Sequence, residues 1–114
     1  MIELALLLIN CTNFTQINEL AFNATLDHIY SSRYNCVDFS YALAMDLNKS
    51  GCKVRMVTGW VDLGKRRAWH RWIETPDFQI EATPGFADLG VIVNTNLYHK
   101  SYWTRWGFVH RYGK

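Results

Sequence analysis

The sequence predicts an α+β domain, with N-terminal helices packed on a small antiparallel sheet, and three observations carry that reading. Apolar residues recur at helical spacing in two stretches before Gly51, the period then drops to two, and two alternating runs are separated by the turn sequence TPD. At 114 residues, 49% of them hydrophobic and 19% charged, the chain has the size and composition of one ordinary globular domain. Its only prolines are Pro76 and Pro84 and it has no repeat or low-complexity linker, so residues 1–114 read as a single unit.

The opening MIELALLLIN is apolar but has Glu3 where a signal peptide would be basic, and it is too short to cross a bilayer. Over residues 15–30, Ile17, Leu20, Ala21, Ala24 and Ile29 are spaced for a helix, with Thr15 as its expected N-cap. SSRYN interrupts the pattern. From Cys36 the apolar set continues through Phe39, Ser40, Leu43, Ala44 and Leu47 to a stop at Gly51, which makes the second helix the most secure element and puts Cys36 in its first turn. Val54, Met56 and Thr58 then alternate as a strand up to Gly59, and residues 61–67 read as an exposed loop or hairpin tip. Residues 68–74 alternate again, TPD turns the chain, and 78–83 return as a strand. VIV after Gly90 suggests one more strand. YWTRWGFVHRY has no assignable period, and its Trp103, Trp106 and Phe108 are expected to complete the core.

Charge and cysteines narrow the function. A formal charge of +2 does not favour nucleic acid, although basic residues crowd into 65–71 and 100–114. Cys11, Cys36 and Cys52 are an odd set without a CxxC pair, so neither a disulfide framework nor a zinc ribbon is suggested; at least one thiol is expected free, and Cys11 and Cys52 read as small buried hydrophobes. No cofactor or metal is expected and no membrane partner. Four N-x-S/T sequons, at Asn10, Asn13, Asn23 and Asn48, hint weakly at export. The chain as given reads as cytoplasmic, with export as part of a larger precursor left open.

Cys36, His70 and Glu81 supply a thiol, an imidazole and a carboxylate, the parts of a nucleophilic acyl-transfer site. A helix N-terminus favours the thiolate of Cys36 and leaves its backbone N–H available for an oxyanion. His70 and Glu81 share a sheet face only if the turn between them has an even number of residues: centred on Thr75 and Pro76 it pairs them directly, centred on Pro76 and Asp77 it leaves them diagonal. Glu74 shares the face of His70 and competes for the third role; Glu81 is preferred because Glu74 lies at the turn, within reach of solvent. Trp72 and Trp69 are read as sheet packing, with Trp72 able to shield an ion pair from water.

The segments YNCVDFSYALAMDLNKSGCKVRMVTGW, HRWIE and IEATPG, over about residues 34–85, resemble the transglutaminase-like superfamily, relatives of the papain-type cysteine proteases. The resemblance implies a nucleophile at Cys36, a base at His70 and an orienting acid at Glu81. It departs from the family in having glutamate where aspartate is usual, and in a short interval from histidine to acid that implies a clipped hairpin. Tyr30, Tyr34, Asn35 and Trp60 are candidates for the second oxyanion donor. The function expected is thiol-dependent hydrolysis of a peptide or isopeptide bond in a peptide or protein substrate. The alternatives are a catalytically inactive binding module using the aromatic and basic tail, and a crosslinking or deamidating acyltransferase.

Overall fold

The computed structural model describes residues 9–26, 35–86 and 89–111. Two helices, α1 (Phe14–Leu26) and α2 (Cys36–Lys49), precede five strands: β1 (Arg55–Asp62), β2 (Arg67–Glu74), β3 (Gln79–Glu81), β4 (Gly90–Val91) and β5 (Tyr98–Trp103). The strands form one antiparallel sheet in the order β4-β3-β2-β1-β5, and the helices pack on it. The α+β expectation holds at that level.

Local chemistry accounts for the helix ends. Asn13, not Thr15, caps α1: its side chain accepts from Gln16 N at 2.9 Å, because a residue one step before the helix presents its oxygen to the free N–H groups of the first turn. The α1 pattern beyond Leu26 lies outside the described residues, as does the apolar start, residues 1–8. At the far end of α2, Gly51 takes φ +91°. Its N–H reaches Asn48 O at 3.1 Å and that of Cys52 reaches Leu47 O at 2.9 Å, the paired bonds of a Schellman stop.

Period-two alternation builds a core on each face of the sheet. Ile17, Ala21, Phe39, Leu43 and Leu47 of the helices bury Met56, Ile73 and Ile80, while Val57, Val61, Trp72, Ile92 and Tyr98 form a second cluster on the opposite face. The first hairpin is tighter than expected. Val61 and Asp62 belong to β1, and only Leu63–Arg66 turn, closed by Leu63 N to Arg66 O at 2.9 Å. The expected 78–83 strand is confined to Gln79–Glu81. β5, on the outer edge of β1, is a strand the sequence reading did not include, and only its last two residues belong to the unassigned YWTRWGFVHRY. Trp103, Trp106 and Phe108 remain 48, 38 and 38% exposed, so they do not complete the core.

The cysteine reading also changes. Cys11 and Cys52 form a disulfide that ties the segment before α1 to the end of α2, and Cys36 is the free thiol. Their separation of 41 residues offered no spacing motif by which the pairing was legible. Gly59, expected only to end a strand, lies inside β1 opposite His70. A Cβ there would stand 2.0 Å from the His99 carbonyl oxygen, and this close approach accompanies the register shift between β1 and β5.

Candidate functional site

Cys36 is the first residue of α2, and its neighbours organise the helix start. The Asn35 side chain accepts from Val37 N at 3.0 Å and Asp38 N at 3.2 Å, while Asp38 Oδ2 accepts from Asn35 N at 3.2 Å. This reciprocal cap satisfies two free donors of the first turn and leaves the Cys36 N–H without an acceptor among the described residues. Asn35 is the capping residue of α2, its amide oxygen taken up by the two backbone donors. Tyr30 and Tyr34 lie outside the described residues, and Trp60 belongs to the exposed part of the hairpin.

Cys36 meets β2 where that strand has outrun its neighbour. β3 pairs with β2 at Ile73 and Glu74, and its last residue, Glu81, comes level with Trp72. At Arg71 the edge of β2 is thus open to α2. The Arg71 backbone hydrogen-bonds the Cys36 sulfur, and Ser40 Oγ donates to Arg71 O at 3.0 Å, which seats the first turns of α2 along that edge. Beyond it, Arg111 binds Asp38 Oδ1, Arg71 Nη1 donates to Arg111 O at 3.1 Å and Arg71 Nε to Thr58 Oγ1 at 3.1 Å. The tail fastens the helix start to the sheet.

His70 points to the other sheet face, where Glu81 also points. The intervening loop is the four residues from Thr75 to Phe78, centred on Pro76 and Asp77 and closed by Thr75 N to Phe78 O at 2.8 Å. It is an even turn and gives the diagonal arrangement. His70 Nε2 lies 2.8 and 3.0 Å from the two Glu81 oxygens. The His70 ring also interacts with the Cys36 thiol, which is among the groups that set its pKa.

Glu81 is fully buried, so its oxygens take their hydrogen bonds from protein donors. Besides His70 it receives Tyr98 Oη at 2.6 Å on Oε1 and Thr83 N at 3.0 Å on Oε2. The Phe86 ring stacks on the His70 imidazole at 3.6 Å and 9°, and Trp72 lies parallel to it at 6.3 Å and 18°. The indole Nε1 donates to Gln79 Oε1 at 2.9 Å, so Trp72 is fixed in place and walls the imidazole from one side.

Burial alone would push the Cys36 thiol up and the His70 imidazole down, since each then holds its charge out of water. The partners reverse both. Hydrogen bonds from His70 and from the Arg71 backbone, with the His70 charge, bring Cys36 below its ordinary 9.0. Hydrogen bonds to Cys36 and Glu81, with both negative charges, raise His70 to about 9. Each group thus favours the charged form of the other, the direction in which a thiolate and an imidazolium stabilise one another.

Glu74 takes no part. It is buried, not solvated, and is held by Arg55 at 2.5 Å and Lys100 at 3.2 Å. The sequence reading missed Tyr98 and Phe86. Phe86 is near enough to PG for its position to be suspected, whereas Tyr98 reaches Glu81 only because β5 pairs with β1 across a long separation. Among the described residues no three His, Cys, Asp or Glu side chains form a metal-binding group, and no helix is long and apolar enough to cross a membrane. No family model, curated protein or solved structure matches the chain.

Proposed function

We propose that the protein is a thiol-dependent hydrolase of the transglutaminase-like type, cleaving a peptide or isopeptide amide through Cys36, His70 and Glu81. The observation that carries this reading is His70 held by a fully buried Glu81 at 2.8 Å, with the Cys36 thiol as the other partner that raises the ring's pKa. In the acylation step the Cys36 thiolate attacks the amide carbon, and the developing oxyanion takes a hydrogen bond from the Cys36 N–H. His70 gives its proton to the departing amine as the C–N bond breaks, leaving a thioester. Water then loses a proton to His70 and attacks the thioester, and Cys36 leaves again as thiolate.

Glu81 keeps the ring oriented and stabilises its positive charge, and the donors Tyr98 Oη and Thr83 N hold the Glu81 carboxylate in place. The direct test is intact-mass analysis after mixing with an activated acyl ester. An acyl adduct on Cys36 that decays in water, and is absent from Cys36→Ala and His70→Ala, supports the reading; turnover that persists in Cys36→Ala contradicts it. Adding a primary amine separates hydrolysis from acyl transfer, because a crosslinking enzyme diverts the adduct to an amide.

A second reading, a binding module without chemistry, is favoured by one observation. Trp103 and Trp106 are exposed and flank the Arg55 guanidinium at 5.1 and 4.2 Å, as recognition aromatics do. Ligand affinity that survives Cys36→Ala and disappears in Trp106→Ala, without any acyl adduct, would select it.

A further inference from the structure

On the sheet face that carries α2, the helix covers β2 only as far as Arg71, and beyond this point the residues facing outward are aromatic. Trp69 and Trp60 stand directly opposite each other on β2 and β1, with ring centroids 4.9 Å apart, and Tyr102 of β5 lies 6.0 Å from Trp69. They are 47, 39 and 37% exposed, and together they form one continuous aromatic surface. Packing does not explain them, since both hydrophobic clusters close without these three. The surface also has a charged end. Lys65, Arg66 and Arg67 are exposed at the hairpin tip, with the Arg67 guanidinium 5.5 Å from the Trp60 ring.

We infer that this surface is the substrate-binding platform of the thiol site, and that its occupant is an extended acidic peptide with an aromatic or large apolar residue near the cleaved bond. The register rests on the hydrolase reading, because it is counted from Cys36. A strand and an extended peptide both advance about 3.3 Å per residue. Cys36 meets β2 at Arg71, so a peptide with its scissile carbonyl at Cys36 and running along β2 has its second residue over Trp69 and Trp60. Its fourth residue reaches Arg67. Rigid aromatic rings supply contact area at little entropic cost, and a basic rim selects acidic side chains and speeds encounter. The apolar preference therefore belongs about two positions from the scissile bond, and the acidic preference about four.

Fluorescence anisotropy on Cys36→Ala protein tests this with labelled peptides bearing a phenylalanine two positions, and glutamates four and five positions, to either side of a central amide. Trp69→Ala and Trp60→Ala should each weaken binding by about tenfold, corresponding to about 1.4 kcal/mol. Lys65→Glu with Arg66→Glu should weaken it as well, and should restore binding to the peptide in which lysines replace the glutamates. Unchanged affinity in these variants overturns the platform, as does displacement of the peptide by a tighter-binding oligonucleotide of equal charge. The two readings fail separately. Cleavage by the parent protein that is indifferent to Trp69 sinks the platform and leaves the hydrolase, whereas Trp69-dependent binding without cleavage leaves the platform and sinks the hydrolase. Alkylation of Cys36 at the parent rate in Trp69→Ala verifies that the variant is folded with its thiol site intact.

Discussion

Glu81→Gln probes what the buried carboxylate does, because glutamine keeps the shape and one acceptor oxygen, removes the charge and turns the other oxygen into a donor. In the parent protein His70 Nε2 lies 2.8 and 3.0 Å from the Glu81 oxygens, and neither group has solvent to screen it. A hydrogen bond to a charged partner contributes roughly 1.5–3 kcal/mol and a neutral one roughly 0.5–1.5 kcal/mol, a difference of about 1–1.5 kcal/mol. Each pKa unit corresponds to about 1.36 kcal/mol, so the substitution should lower His70 from about 9 by roughly one unit. The pair also links to stability. A histidine raised above its unfolded 6.5 adds stability that is fully present below that pH and is lost as the pH rises through about 9; in Glu81→Gln the loss should begin at the same pH, be smaller in total and be complete about one unit lower. The assay is an NMR titration of the His70 ring in parent and variant, with chemical denaturation at several pH values beside it. A His70 titration unmoved by Glu81→Gln, in a variant that remains folded, would refute the assignment of Glu81 as the group that holds the imidazole proton.

Three further outcomes follow from the same geometry. Tyr98→Phe removes the 2.6 Å donor from Glu81 Oε1 and should destabilise the protein by roughly 1.5–3 kcal/mol, read by urea denaturation, with slower Cys36 alkylation. Gly59→Ala forces a Cβ against the His99 carbonyl and should cost roughly 1–3 kcal/mol in the same denaturation assay, and it should also displace Tyr98, so that His70 titrates differently from the parent. Replacing Cys11 and Cys52 by serine opens a cross-link spanning 41 residues and should cost about 4 kcal/mol on chain-entropy grounds, seen as a lower denaturation midpoint. Alkylation of Cys36 in the portion still folded should keep the parent rate.

The sequence was most informative where structure is local. The repeat of apolar residues from Cys36 and the glycine at 51 mark α2 with its true bounds, because propensity, cap and stop agree over one stretch of chain. The TPD turn was legible as a turn but its parity was not; the four-residue loop of the structure settles it and places His70 and Glu81 on one face. What sequence could not supply was long-range. Tyr98 comes to Glu81 through the pairing of β5 with β1, and Cys11 comes to Cys52 through the docking of α1 against α2; no periodicity records either meeting. Glu74 shows the opposite error. Its place beside a turn suggested solvent, but Arg55 and Lys100 close over it and turn an apparent surface acid into a buried structural one. Trp69 packs on Trp60 and Tyr102 as read, yet stays half-exposed, because alternation tells which face a side chain takes and not where a helix on that face ends.

The central claim is that Cys36 is a thiolate held by a protonated His70 near neutral pH. The rate of alkylation of Cys36 by iodoacetamide, followed across pH in the parent and in His70→Ala, measures it most directly. The account predicts a parent rate that rises with a midpoint below 9.0 and stays high as His70 deprotonates near 9, with the midpoint moved up in His70→Ala. A parent profile that rises as an ordinary thiol with a midpoint at 9.0, unchanged by the loss of His70, would contradict it.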